Sequence, residues 1–134
     1  MKYVIFILFA CCSQSYLQAQ SATDSLLKLI AISKPDSVKA KLYLEAARKF
    51  YESTDYLNAK KFIDSSYAIA REINFTPGII DFYFLDGRIL KNTGKYYEAK
   101  YQYEEALSLS RETNDSARVA GSYNNLGNLL INLH

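Results

Sequence analysis

Residues 83–107 read YFLDGRILKNTGKYYEAKYQYEEAL. Tyr83, Gly87 and Leu90 fall at i, i+4 and i+7, the spacing of one helix face. Asn92-Thr93-Gly94-Lys95 then breaks the pattern, and Gly94 can take the left-handed backbone that ends a helix at little cost. Tyr96, Ala99, Tyr103 and Ala106 resume helical spacing beyond the break. The stretch is two helices joined by a tight turn. Its small residues, Gly87 and Ala99, stand where the helices must approach closely, because a bulky side chain there would hold them apart.

Shifting the chain by forty residues repeats this pattern on both sides. Tyr43, Tyr83 and Tyr123 align, as do Arg48 with Arg88, Tyr56 with Tyr96, Ala59-Lys60 with Ala99-Lys100, Arg71-Glu72 with Arg111-Glu112, and Asn74 with Asn114. Residues 43–74 against 83–114 give eight identities in thirty-two positions, where composition alone provides roughly two. Ala47, Gly87 and Gly127 form a series of small residues, and Phe50, Leu90 and Leu130 a series of large ones. Asp36-Ser37, Thr76-Pro77 and Asp115-Ser116 are N-cap or first-turn signals at equivalent places. The units are therefore expected at 36–75, 76–115 and, in part, 116–134. Six tyrosines (Tyr43, Tyr56, Tyr83, Tyr96, Tyr103, Tyr123) fall on their core faces, while Tyr97 and Tyr101 fall off them and are expected half-buried between second helices.

The eight spacings from Tyr83 to Ala106 resemble the tetratricopeptide repeat, as does the opening half YNNLGNLL at Tyr123–Leu130. The first unit matches more loosely, with Ala47 and Thr54 at the two glycine positions and Ser66 at the last alanine; Asp86 stands where a leucine is usual. The resemblance implies an all-α fold, a short right-handed solenoid of antiparallel helix pairs. It also implies a long variant of the repeat, whose second helix runs about two turns further.

Before the repeats, DSLLKLIAI (Asp24–Ile32) is one amphipathic helix closed by Ser33-Lys34-Pro35, expected within a segment 20–35 that caps the first unit. Ahead of it, Met1-Lys2 and the ten apolar residues Tyr3–Cys12 precede a polar stretch. Ten residues span about 15 Å as a helix, half of a bilayer core of ~30 Å. That suits the apolar stretch of a signal peptide over 1–19, with Leu17 and Ala19 before a cleavage site at Gln20. Both cysteines would leave with it. Alternatively, Leu8-Phe9-Ala10-Cys11 resembles a lipoprotein box with Cys11 acylated, although Phe9 is bulkier than such a box prefers.

Composition excludes most catalysis. The one histidine is His134 and there is no tryptophan; Gly78, Gly87 and Gly94 are scattered rather than gathered into a phosphate loop. Asp64, Glu104 and Glu105 lie near Lys60 and Lys100 as surface i,i+4 partners. Sixteen basic against fourteen acidic residues leave +2, too little for a nucleic-acid surface. No enzymatic activity, cofactor, metal or membrane span is expected. Binding remains, to a protein or an extended, acidic peptide.

In tetratricopeptide arrays the groove is lined by places two, five, nine and twelve of each first helix. The resemblance thus implies Lys41 and Asp81 at place two, and Leu44, Phe84 and Asn124 at place five. Place nine holds Arg48, Arg88 and Asn128; place twelve holds Tyr51, Lys91 and Ile131. Two arginines one unit apart favour carboxylates, and the asparagines suit a peptide backbone. Against this stands a solvated face, with the arginines held by Glu45 or Glu52. Arrays behind a signal peptide also resemble the extracytoplasmic input regions of bacterial sensor kinases and membrane-bound transcription regulators, a second expectation for function.

At the C-terminal end the leucines keep an inward pattern with no polar cap. Leu126 and Leu130 are expected to pack on helix 96–111, and Leu129 and Leu133 to stay partly exposed. A truncated longer protein or a helix completed by a partner chain is the consequence, with marginal stability or self-association. An exported, periplasmic or otherwise extracytoplasmic protein is expected. Mass spectrometry of the exported protein should find Gln20 at its N-terminus; a lipid on Cys11 would contradict the cleavage.

Overall fold

The polar breaks in the sequence become four turns of one design. In the computed structural model, which describes residues 23–132, α2 (Ser37–Glu52), α3 (Tyr56–Glu72), α4 (Thr76–Asn92), α5 (Tyr96–Glu112) and α6 (Ser116–Leu130) are separated by three residues each. At every turn the middle residue is left-handed: Thr54 at φ 62°, Asn74 at 54°, Gly94 at 80° and Asn114 at 54°. The next residue then donates its N–H to a carbonyl five back: Asp55 to Phe50 (2.9 Å), Phe75 to Ala70 (2.7 Å), Lys95 to Leu90 (2.9 Å) and Asp115 to Ser110 (2.9 Å). This is the Schellman closure, which satisfies carbonyls orphaned at a helix end. The residue that closes one helix is also the N-cap of the next. The chain thus has a structural period of twenty inside its sequence period of forty.

Caps fix where the helices start. Asp36 accepts from the Val38 and Lys39 amides at 2.9 and 3.0 Å, Asp55 from Asn58 at 3.1 Å and Asp115 from Arg118 at 3.0 Å. The Asn58 side chain, then its amide, hold the Asp55 carboxyl below its ordinary value; at Asp115 the Arg118 amide, then its guanidinium, do the same. In α4, Pro77 in the first turn takes over where Phe75 offers no capping side chain.

The expected all-α class holds, and among the described residues there is no strand. The chain divides into residues up to Ile32 and a second unit from Ser33. The first contributes helix α1 over 23–32, where a helix was expected from Asp24 to Ile32. The expected signal peptide (1–19), Cys11, the cleavage site at Gln20 and Leu133 lie outside the described residues. In the second unit each helix packs on the next, and the first helices of successive pairs touch, α2 on α4 and α4 on α6. The two helices of a pair are nearly equal, with 16 and 17 residues in α2 and α3 and 17 in each of α4 and α5.

One core joins α2, α3 and α4 through Leu44, Ala47, Ile63, Leu85 and Ile89; another joins α5 and α6 through Ala99, Tyr103 and Leu129, with Phe84 and Leu90 of α4 packed against it. Aromatic pairs reinforce the seams: Phe50 on Phe62 at 5.1 Å and Tyr67 stacked on Phe82 at 4.1 Å between centroids. Gly87 is required by such a contact, since a Cβ there would lie 2.5 Å from the fully buried Tyr103 ring.

Three expectations about packing are corrected. Leu129 is fully buried and Leu130 is 48% exposed, the reverse of what was expected. Leu129 stands forty residues after Ile89, a place that packs back on the preceding pair, whereas Leu130 follows Phe50 and Leu90, places that face a second helix. Of the six core tyrosines Tyr103 is fully buried, Tyr56, Tyr83 and Tyr96 pack half-buried against the cores and Tyr43 against Phe62, so the one that departs from its expected core face is the exposed Tyr123. Tyr97 and Tyr101 are exposed rather than half-buried, because the backbones of α3 and α5 do not approach each other.

Thr54 is the misfit among the turns, a β-branched residue in a left-handed conformation that glycine or asparagine holds elsewhere. Thr54→Gly should raise stability by about 1 kcal/mol, relief of strain outweighing the added freedom of the unfolded chain. Chemical denaturation would read this directly; a stability equal to or below the parent's would mean that the turn carries no strain.

Candidate interaction face of the first helices

Because first helices touch one another while second helices splay, residues 33–132 bend with α2, α4 and α6 on the inside. Spacings of three and four along α2 and α4 bring Arg48 and Tyr51, and Arg88 and Lys91, to that side. The centre of this face is a built cluster. The Arg88 guanidinium lies 4.3 Å from the centroid of the Tyr51 ring, a cation–π contact between α4 and α2. Asn92, one turn after Arg88, donates from its amide to the Tyr51 hydroxyl at 2.9 Å and to the Tyr56 hydroxyl at 3.2 Å. Behind them the Tyr103 hydroxyl is buried without a partner. Burial pushes the Tyr103 phenol up to about 12, against the pull of Arg88.

Arg88 itself is exposed, and among the described residues neither it nor Arg48 is in an ion pair. Glu45, a candidate to neutralise Arg48, is 3.9 Å from Lys49 instead. The guanidinium of Arg88 therefore keeps N–H donors for an incoming group, while its cation–π contact restricts where it can move.

The other expected groove residues are placed unevenly. Lys41 is exposed, its ammonium 5.4 Å from the centroid of the Phe75 ring, and Lys91 is half-buried. Leu44 is a correction: at 7% exposure it belongs to the core, because α4 packs over it through Leu85 and Ile89. Phe84 is half-buried in the second core and lies 3.6 Å from where a Cβ on Gly121 would be. Asp81 is already occupied, with both oxygens 3.4 Å from Arg118, which also binds Asp115 at 2.6 Å. Asn124 and Asn128 are exposed on α6, and Ile131 is exposed just past its end. Among the described residues no side-chain hydrogen bond joins Asn124 or Asn128 to the Arg88 cluster. The structure thus gathers Tyr51 and Arg88, and leaves the α6 residues apart.

Asn92, Tyr56 and Tyr103 were missed as members of this face. Asn92 lies four residues after Arg88, a spacing that shares a helix face, yet as part of a polar break it reads only as a helix end. The tyrosine hydroxyls carry no signal in a sequence that uses the same residue for cores.

A second charged cluster ties α3 to α4. Lys60 lies 2.5 Å from Asp64 and 3.1 Å from Asp86, the latter an ion pair without hydrogen-bond alignment, and 5.2 Å from the Phe82 ring centroid. Burial pushes the Asp86 carboxyl up, with Lys60 opposing; burial also works to lower Lys60, but Asp64 and Asp86 hold it above its ordinary value. Asp86, in place of a leucine, is thus paired across the seam. Lys100 and Glu104 form the expected surface pair at 3.4 Å. Among the described residues no three His, Cys, Asp or Glu side chains are grouped to hold a metal, and no helix is long and apolar enough to cross a membrane.

Compared with known proteins, the chain matches no family model and no curated protein.

An unpartnered buried hydroxyl costs stability without a ligand to meet it. Tyr103→Phe should therefore stabilise the free protein by about 1 kcal/mol, whereas Asn92→Ala should cost about 1 kcal/mol by releasing both tyrosine hydroxyls. Thermal melts of the two variants would show the opposite signs; a destabilised Tyr103→Phe would mean that the hydroxyl is satisfied.

Proposed function

We propose that this chain is a tetratricopeptide-type interaction module whose inner face receives an extended, acidic segment of a protein partner. The observation that carries the proposal is the Arg88–Tyr51–Asn92 cluster: an exposed guanidinium fixed over an aromatic ring, with no carboxylate of its own. A planar fork of donors is suited to a carboxylate, which it grips with two parallel hydrogen bonds. Arg48, Lys41 and Lys91 add positive charge along the same helices, while the one acidic residue expected there, Asp81, is neutralised by Arg118. The potential of this face favours an anionic guest and its approach. The forty-residue repeat and the pairing of equal helices support the tetratricopeptide assignment.

On the same proposal the module works outside the cytoplasm, in the bacterial periplasm or on an extracytoplasmic face, once residues 1–19 are removed. It is a binding protein rather than an enzyme, and binding of one partner is its output.

Fluorescence anisotropy with a labelled decapeptide of alternating glutamate and alanine, and its glutamine counterpart, tests the proposal. The acidic peptide should bind and the neutral one should not. Arg88→Ala should weaken binding by about tenfold, the worth of one charge-assisted contact, and Arg88→Lys should recover only part of it. Affinity should fall as salt is raised. Equal binding of both peptides, or an Arg88→Ala protein with the parent's affinity, would remove the inner face from the function.

A further inference from the structure

The second helix pair fills its closest approach differently from the first. In the first pair Ala47 and Ile63 share one core, both fully buried and neither with a polar side-chain atom. Forty residues on, Gly87 and Tyr103 take those places. The Tyr103 ring lies over Gly87 so closely that a Cβ there would meet three ring atoms at 2.5 to 3.0 Å. Packing alone does not require this pair, since alanine and isoleucine close the equivalent seam. It costs stability instead, because the Tyr103 hydroxyl is buried and meets no hydrogen-bond partner. What the glycine permits is reach: the tyrosine crosses from α5 past α4, and its hydroxyl comes under the influence of Arg88 and Tyr51. Those are the two residues of the cation–π contact at the centre of the inner face.

We infer that the Tyr103 hydroxyl is a second, deeper anchor for the guest's carboxylate, donating to one carboxylate oxygen while Arg88 holds the other. The inference rests on the proposed binding of an acidic segment and names the residue that fixes how deep its carboxylate sits. Burial holds the Tyr103 phenol up at about 12 against the pull of Arg88, so the hydroxyl keeps its proton and can donate. Tyr51 accepts from Asn92, which leaves its own O–H to give. Arg88, Tyr51 and Tyr103 thus present donors, and among the described residues none of the three is paired with a carboxylate. An anion with two oxygens can meet a guanidinium and a phenol at once, whereas an apolar group meets neither. Arg88 is exposed and carries no ion pair, so its guanidinium can turn from the Tyr51 ring to the guest and uncover the hydroxyl behind it. The hydroxyl that lacks a partner in the free protein gains one in the complex.

Tyr103→Phe keeps the ring on Gly87 and removes only the oxygen. The probe is the labelled decapeptide of alternating glutamate and alanine, titrated into the full chain and followed by anisotropy, with thermal melts of each protein alone. Tyr103→Phe should bind it about tenfold more weakly than the parent, the worth of a hydrogen bond to a charged group, while melting at or above the parent's temperature. Affinity and stability then move in opposite directions, which a purely structural hydroxyl would not produce. Saturating peptide should also raise the melting temperature of the parent more than that of the variant. An affinity equal to the parent's would overturn the inference. So would a loss of affinity accompanied by a lower melting temperature, because the hydroxyl would then belong to the core. Arg88→Ala separates this inference from the reading it rests on. If Arg88→Ala weakens binding and Tyr103→Phe does not, the peptide still sits on the inner face and only the deeper anchor is refuted. If neither variant weakens binding, or the parent binds no peptide, the inner face and the anchor are refuted together.

Discussion

One backbone residue in twenty, turned to positive φ, decides the geometry of the repeat region. Thr54, Asn74, Gly94 and Asn114 each reverse the chain within three residues, and each does so by the same pair of backbone hydrogen bonds. No slack remains in such a connection. The next helix must start at once, alongside the last, and its register against its neighbour is set before any side chain packs. Side-chain chemistry at the turns differs, with aspartate at some N-caps and phenylalanine or lysine at others. The backbone closure is what they share.

That register is what makes the small residues matter. With helices held in line, the closest approach recurs at Ala47 and Gly87, and the partner helix can place a large side chain there. Tyr103 uses this room fully, its ring against Gly87 and its hydroxyl carried through toward Arg88 and Tyr51. A packing contact of the core thus delivers a polar group behind the inner face, where it stays unpartnered. Asp86 is the opposite case: a carboxylate inside a seam, held by Lys60 from the preceding helix. Pairs of this kind contribute little net stability against a well-packed leucine, since both charges lose water. They do oppose any slip that would separate them.

The inner and outer sides of the array differ for a geometric reason. First helices meet across pairs and second helices do not, so inner side chains touch across pairs and outer ones are left apart. Arg88 over Tyr51 and Arg118 on Asp81 are inner contacts; Tyr97 and Tyr101 are exposed on the outside. On the second helices, Lys60–Asp64 and Lys100–Glu104 are i,i+4 pairs.

The sequence by itself determined the all-α class, the forty-residue period, the helix pairs and the caps at Asp36 and Asp115, because helical spacing and capping are local rules. Arg88 and Tyr51 were expected on the inner side only through the resemblance, by the places they hold in their repeats, and not from spacing alone. What the sequence could not determine was which large residue faces which neighbour. Leu129 and Leu130 are adjacent leucines, and only the way α6 packs on α4 and α5 buries the first and bares the second. Leu44 reads as groove until α4 covers it, and Asn92 reads as a helix end until it reaches the tyrosine hydroxyls of the preceding pair. These assignments depend on contacts between residues some forty apart, which periodicity places on a face but cannot bring into touch.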